Sequence, residues 1–577
     1  MDFITALSQS GNKTLDISNG DRAEVYVSKK EAKYFAIFQR GEDRKAECIA
    51  TSPNHGQLFL GWSLFKIFIA TGVALIIDKL SLDPDRDNKY SGLDNAWKRT
   101  FTEVFNEKSR DLNINALHGD PSIIELVCHF KGPFDFNHIL FAPDGTPLLS
   151  KIDFLNMISR YTEDTRREHE STGRCVYSNA NYILLALLIE EVSHQQLHEF
   201  LNENIFKPFG MNRTYMRKED LNADSVNQLA KPHIAFSDGR CQVISEGILN
   251  YLTDVVERAV IGGFTCAEDL GTFFDRVYQA CDNKESMEPP LGQEFAKSLF
   301  NGVGTLATDG SQLHGYTKLG LRTTLDKNFA GMNSFNRLIS SDTICSKETI
   351  GITAKGNSLE AFYMAGCGTG WAHTVYLIPT RRVYVIVLTN TTGIVDASDV
   401  ISRPYVQQVC DLLPPALADT NDVNEWDEET ITNKRGEYSV DLARRMKTEN
   451  IPRIRRLETE DDIPDRLGAI NIIAVGRYQN WKSGQILEVR RLNDANPDGR
   501  LGVIFEGCTT KKSSLMRFVR MDQSYMTCSY SGGTNILTVD RCGAWQNVKF
   551  AFTEQNRQIV SFMRHGAHQD DLFVRIG

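Results

Sequence analysis

Residues 58–77 read LFLGWSLFKIFIATGVALII, twenty residues with a single charge, Lys66, in their middle. This run constrains the fold more than any other segment. It is too apolar for a surface helix, so it must be buried in protein or in lipid. Its length makes it a candidate membrane span. Against that, Lys66 near the centre costs roughly 2.5–3.5 kcal/mol on insertion scales. The flank that follows, Asp78-Lys79 and then DPDRDNK, carries no orientation signal. The expectation is a buried helix of a globular core, with no membrane partner and a lysine kept there for its chemistry.

Ser63 stands three residues before Lys66, giving an S-x-x-K pattern. Positions i and i+3 share a helix face, so the hydroxyl and the amine can meet. Gly61 suits a helix start, which puts Ser63 at the positive end of the helix dipole, where an alkoxide is favoured. Burial among Leu, Phe and Ile disfavours the ammonium form of Lys66 and fits it to act as a base. S-x-x-K alone is a weak signal, and its apolar setting is what strengthens it. The plain alternative, two ordinary helix residues, has no use for a buried lysine.

The chain has 577 residues and a net charge of −10, which leaves no basic excess to neutralise a nucleic acid. Its twelve cysteines include no C-x-x-C pair and read as reduced, mostly buried thiols. The start, MDFITALSQSGNKTLDISNGD, lacks the basic and apolar regions of a signal peptide, so the expected location is cytoplasmic. No Walker A, G-x-S-x-G or dinucleotide fingerprint occurs, and no cofactor is expected. His565-Gly-Ala-His568 with Asp570 and Asp571 reads as a solvated turn, so no metal is expected either.

Along the chain, AEVYVS and KYFAIFQR within 22–52 predict an antiparallel hairpin. Residues 82–130 read as polar and irregular. SKIDFLNMISRYTE and ANYILLALLIEEVSHQQLHEFLNENIF predict helices, and Thr265 reads as an N-cap to a helix within 260–283. TVYLIPTRRVYVIVLTN predicts a second hairpin, and YVQQVCDLLPP a closing helix stopped by Pro414. Strands at both ends of a helical insert imply an α/β (α+β) fold, an antiparallel sheet flanked by helices. The expected organisation is a catalytic domain at 1–415, a charged linker with exposed helices at 416–467, and an all-β, barrel-like module at 468–577.

Tyr177-Ser178-Asn179 directly precedes a long apolar helix. Asn179 also reads as an N-cap. With Ser63-Leu-Phe-Lys66, this pattern resembles the serine β-lactamase and penicillin-binding-protein superfamily, in particular its class C-like esterases and acyltransferases, including those of fungal biosynthetic pathways. IFKPFGMNRTYM at 205–216, AKPHIAFSDG and Gly262-Gly263 extend the resemblance over roughly residues 20–415. The 468–577 module resembles the small lipocalin-like appendix of some relatives.

The resemblance implies a β-lactamase-like fold with a helical subdomain. It implies acyl transfer in which Ser63 attacks a carbonyl and Lys66 with Tyr177 moves the proton. Asn179 would position Lys66 and the substrate. In the family a K-T-G or H-x-G strand completes the site. Here FYMAGCGTGWAHTVYLIP aligns with it, so that Met364-Ala365-Gly366 stands in the motif and Cys367 supplies an oxyanion N–H together with Ser63. The family's cation is absent at Met364, and His373 is a weak candidate to replace it. The implied substrate is therefore an ester, lactone or acyl thioester of a small natural product, with an acyl carrier or other acyl acceptor as a second partner. Two other readings remain open: Lys66 and Tyr177 as acid and base for cyclisation or isomerisation of a small metabolite, or a degenerate ligand-binding protein.

Overall fold

The computed structural model describes residues within 22–81, 96–132, 149–161, 175–235, 241–243, 254–282, 292–325, 352–413 and 475–576, with short breaks inside several of these ranges, and Leu140 by itself. The expected linker at 416–467 lies outside the described residues, as do residues 236–239 and 566–569.

The first hairpin forms as the alternation predicts. Strands β1 (Arg22–Lys29) and β2 (Ala32–Arg40) pair antiparallel, and β3 (Ala46–Ala50) pairs with β2. A two-residue strand, β4 (Phe59–Leu60), leads into a 3-10 turn at Trp62–Phe65 and then helix α1 (Lys66–Ser81). Every residue of α1 from Lys66 to Ile77 is buried, as expected of a helix that is apolar all round. Among the described residues no helix is long and apolar enough to cross a membrane.

Residues 96–132 are more ordered than their polar composition suggests. Helices α2 (Phe101–Lys108) and α3 (Ile123–Val127) form there. Phe101, Val104 and Phe105 recur at helical spacing and are buried, while Thr100 caps α2 and a Ser122/Glu125 capping box starts α3. Helix α4 (Lys151–Tyr161) lies where the sequence predicts it. The next expected helical region is divided: α5 (Asn179–Ser193) ends at His194 in the left-handed conformation (φ 57°), and α6 (Leu197–Leu201) follows. Ser178, not Asn179, caps α5, its side chain accepting from the Asn181 N–H.

Thr265 is likewise not a cap. It belongs to the short strand β5 (Phe264–Thr265), which pairs with β4, and its hydroxyl shares a hydrogen bond with Thr214. Helix α7 (Ala267–Asp282) begins after it.

The chain then returns to strands: β6 (Leu306–Thr308), β7 (Gln312–Thr317), β8 (Gly320–Leu325), β9 (Leu359–Gly368), β10 (Trp371–Ile378) and β11 (Val383–Thr389). The nine-stranded sheet has the order β3-β2-β1-β11-β10-β9-β8-β7-β6, with antiparallel neighbours throughout. The N-terminal hairpin thus completes a sheet whose other strands come some three hundred residues later. Period-two alternation serves two layers. Tyr26, Phe362, Met364, Val375, Leu377 and Ile386 pack with α1, α5 and α7, while Val25, Tyr363, Tyr376, Val385 and Val387 pack under helix α8 (Ala397–Val409). Helix α8 ends before Pro414, and Leu412–Leu413 forms a short strand.

The C-terminal residues form only strands among those described: β12 (Gly476–Asn480), β13 (Ile486–Arg491), β14 (Leu501–Glu506), β15 (Ser514–Asp522), β16 (Tyr525–Ser531), β17 (Lys549–Gln555), β18 (Gln558–His565) and β19 (Asp570–Arg575), with a short strand at 537–538 beside β16. Antiparallel pairings run β12-β13-β14-β15-β16-β17-β18-β19 and back to β12.

Candidate active site

Ser63 is placed by a turn clamped from three directions. The Gly61 N–H donates to the Gly263 carbonyl at 2.7 Å, and β4 pairs with β5 behind it. Tyr215, from the 205–216 segment, exchanges backbone hydrogen bonds with Phe264. From the sheet, the buried His373 ring on β10 donates from Nε2 to the Leu60 carbonyl at 2.8 Å. Trp62, immediately before the serine, has φ 48°, a left-handed conformation that costs a bulky residue about 1–2 kcal/mol. The clamps hold that conformation, and Ser63 is left part-exposed at the start of α1.

Three predicted residues converge. Tyr177 Oη donates to Ser63 Oγ at 2.7 Å, across 114 residues of sequence. Lys66 Nζ donates to the same oxygen at 3.1 Å. The lysine is 5% exposed, and its Nζ lies 5.5 Å from the Tyr177 ring centre and 5.6 Å from that of Tyr182. The Tyr177 donor suits a developing alkoxide, and the 3.1 Å contact puts the Lys66 nitrogen within reach of the Oγ proton. Asn179 is buried in the first turn of α5, two residues beyond Tyr177.

The strand side is built by β9. Its pairing with β8 extends only to Tyr363, and β9 then runs on to Gly368 along the turn that carries Ser63. A methyl group at Gly366 would come within 2.5 Å of the Gly61 carbonyl oxygen and 3.1 Å of Leu64 Cγ. Only glycine lets strand and turn meet this closely. Gly368 fills the same need beneath the indole of Trp62. Alternation puts Met364 on the face of β9 shared with these glycines and with the helices, packed over Gly320 and 5% exposed. Cys367 has the opposite parity, with Tyr363 and Ala365, so its side chain lies on the α8 side of the sheet. That parity rules its thiol out as a nucleophile beside Ser63 and leaves its backbone as the part near the turn.

His373 does not replace the missing cation. Burial pushes its pKa down to about 4, outweighing the hydrogen bonds to Leu60 and Ala372. The ring is neutral and structural.

Sequence reasoning missed His129 and Tyr182, which lie beside Tyr177. The His129 ring centre is 4.6 Å from that of Tyr177 and 5.1 Å from that of Tyr182. Burial, and then the charge of Lys66, hold the imidazole well below its usual pKa. Tyr182 Oη donates to the Val127 carbonyl at 3.1 Å, and burial drives its pKa well above the ordinary value. Tyr182 was visible only as one more apolar position of α5. His129, in ELVCHFKG, carried no periodic signal.

No group of three or more His, Cys, Asp or Glu side chains arranged to hold a metal occurs among the described residues.

A family model described as Beta-lactamase matches residues 34–403. Penicillin-binding protein 4* of Bacillus subtilis (strain 168) is 24% identical over 193 residues, 32% of this chain and 42% of that protein, so the chain spans less than half of that curated relative's length. Among solved structures, the octameric penicillin-binding protein homologue from Pyrococcus abyssi aligns over 96% of each chain at 15% identity, with a TM-score of 0.46. The class C beta lactamase from Rhodobacter sphaeroides aligns over 70% of this chain and 97% of its own at 16% identity, with a TM-score of 0.44.

Proposed function

The chain belongs to the beta-lactamase family, and from that premise we propose that it is a serine acyl hydrolase or acyltransferase working through an acyl-enzyme on Ser63. The observation that carries this reading is the convergence of Tyr177 Oη and Lys66 Nζ on Ser63 Oγ, at 2.7 and 3.1 Å. In the forward step the Oγ–carbonyl bond forms as the Oγ proton passes to the Lys66/Tyr177 pair. That pair returns the proton to the leaving group as the tetrahedral intermediate collapses. The backbone N–H groups of Ser63 and Cys367 hold the oxyanion, and Asn179 orients the substrate's carbonyl substituent. Water or a second acceptor, such as an alcohol, an amine or a carrier-bound thiol, then takes the acyl group.

Met364 narrows the substrate. The residue on the helix-side face of β9 is an apolar thioether, buried over Gly320. It offers no charge to a substrate carboxylate and excludes water from that side. This favours neutral acyl groups: an ester, a lactone or an acyl thioester of a small natural product. Residues 1–415 form the catalytic unit in this reading. The 468–577 strands form a separate module, supported by strand pairings that stay within each part.

The test is covalent labelling. A fluorophosphonate should add one adduct, mapped by mass spectrometry to Ser63 and absent in Ser63→Ala. Steady-state turnover of p-nitrophenyl esters should favour neutral acyl groups over those with a free carboxylate. Metabolite turnover that survives Ser63→Ala, with no adduct in the wild type, would sink the acyl-enzyme and leave Lys66 and Tyr177 as an acid–base pair.

A further inference from the structure

We infer that His129 is a positioning residue that holds Tyr177 on Ser63, an assignment that rests on the acyl-enzyme reading. The imidazole is 2% exposed and follows α3 with φ 52°. Its Nδ1 accepts the Ser178 N–H at 3.0 Å. This fixes the neutral tautomer, with the ring proton on Nε2. The accepted N–H belongs to the residue directly after Tyr177, so the bond sets where the tyrosine leaves the backbone.

The ring also sets where the phenol points. It packs against Tyr177 at a tilt, with ring planes 34° apart, and it meets Tyr316 of β7 edge-on at 4.8 Å. Tyr177 is thus held between the imidazole on one side and the Ser63/Lys66 pair that it bridges. The segment carrying His129 is itself bolted to the start of α5. Asn181 Nδ2 donates to the Leu126 and Lys131 carbonyls at 3.1 and 2.9 Å, and Tyr182 Oη donates to Val127. Gly132 passes so close to the Asn181 side chain that no Cβ fits.

One polar contact and one ring contact therefore do separate jobs, and they can be separated experimentally. Asparagine places an acceptor oxygen near the position of Nδ1. Glutamine, one methylene longer, places its polar atoms near Nε2 and leaves the Ser178 N–H without its acceptor. His129→Asn should keep the tyrosine anchored, and His129→Gln should not.

The experiment measures the second-order rate of fluorophosphonate labelling at Ser63 in wild type, H129N and H129Q, with thermal unfolding of each. The expected result is H129N within about tenfold of wild type, and H129Q about 100-fold slower while still folded. Equal rates in wild type and H129Q would overturn the assignment. So would equal slowing in H129N and H129Q, or loss of the folded state in either, because the histidine would then support the fold and not the tyrosine. Absence of any Ser63 adduct in the wild type is a different failure, that of the acyl-enzyme reading itself.

Discussion

The helix side and the strand side of the Ser63 site are built on opposite principles. On the helix side, polar groups are brought together within or beside apolar helices: Lys66, Asn179 and His129 buried, Tyr177 half-buried. On the strand side, side chains are removed or made apolar: Gly366, Gly368 and Met364, with a neutral His373 behind. In the proposed reading the first side supplies nucleophile and proton transfer, which depend on side-chain chemistry. The second supplies close backbone approach and a dry wall, which depend on side chains being small or uncharged. A site divided this way should lose chemistry when its helix side is changed, and geometry or selectivity when its strand side is changed.

The largest expected effect is on the helix side. Ser63→Ala should abolish labelling and lower turnover by roughly 10⁴-fold or more, with little change in unfolding temperature, since the serine is part-exposed. Tyr177→Phe keeps the ring packed against His129 and removes the contact to Ser63 Oγ. It should slow acylation roughly 10²–10⁴-fold, measured by burst kinetics with an activated ester.

The next effect belongs to the strand side and is one of stability. The pKa of His373 is about 4 in the folded protein against an ordinary 6.5, so the unfolded chain binds the extra proton first as pH falls. The contribution is fully present above pH 6.5 and is lost as pH falls towards 4, a loss on the order of 3 kcal/mol. Denaturant unfolding at pH 7, 5.5 and 4.5 should show that slope. His373→Gln keeps an N–H for the Leu60 carbonyl but cannot titrate, and it should flatten the slope. An unchanged slope in that variant would remove His373 as its source.

Gly366→Val should cost about 1–3 kcal/mol of stability and reduce turnover, because the new side chain forces β9 away from the Ser63 turn. Thermal unfolding and ester hydrolysis measure the two parts. The smallest effect is the most informative about substrate. Met364→Lys should shift selectivity about tenfold towards esters with a free carboxylate, read as a ratio of kcat/KM values for paired p-nitrophenyl esters. No shift would mean that residue 364 does not face the acyl group.

Legibility in the sequence followed the range of the interactions. The S-x-x-K pair was readable because i, i+3 geometry is local, and α1 because an apolar run can only be buried. Both long hairpins and most helix positions followed from periodicity. The errors were local competitions that periodicity does not decide. Ser178 displaced Asn179 as cap because its hydroxyl reaches the Asn181 N–H, and Thr265 was drawn into a strand by β4. Helices α2 and α3 were hidden by the polar residues around their short apolar faces.

The sequence alone showed a lysine three residues after a serine in an apolar run, a Tyr-Ser-Asn at the head of a second apolar helix, and an uncharged Met-Ala-Gly ahead of Cys367. Those are statements about residue types at fixed local spacing. Only the tertiary structure decided that Tyr177 reaches Ser63 across 114 residues, that His129 backs the tyrosine, and that β9 outruns β8 to lie along the serine's turn. The physical reason is that contacts between distant segments depend on strand register and helix packing over the whole core. No short window of sequence carries that information.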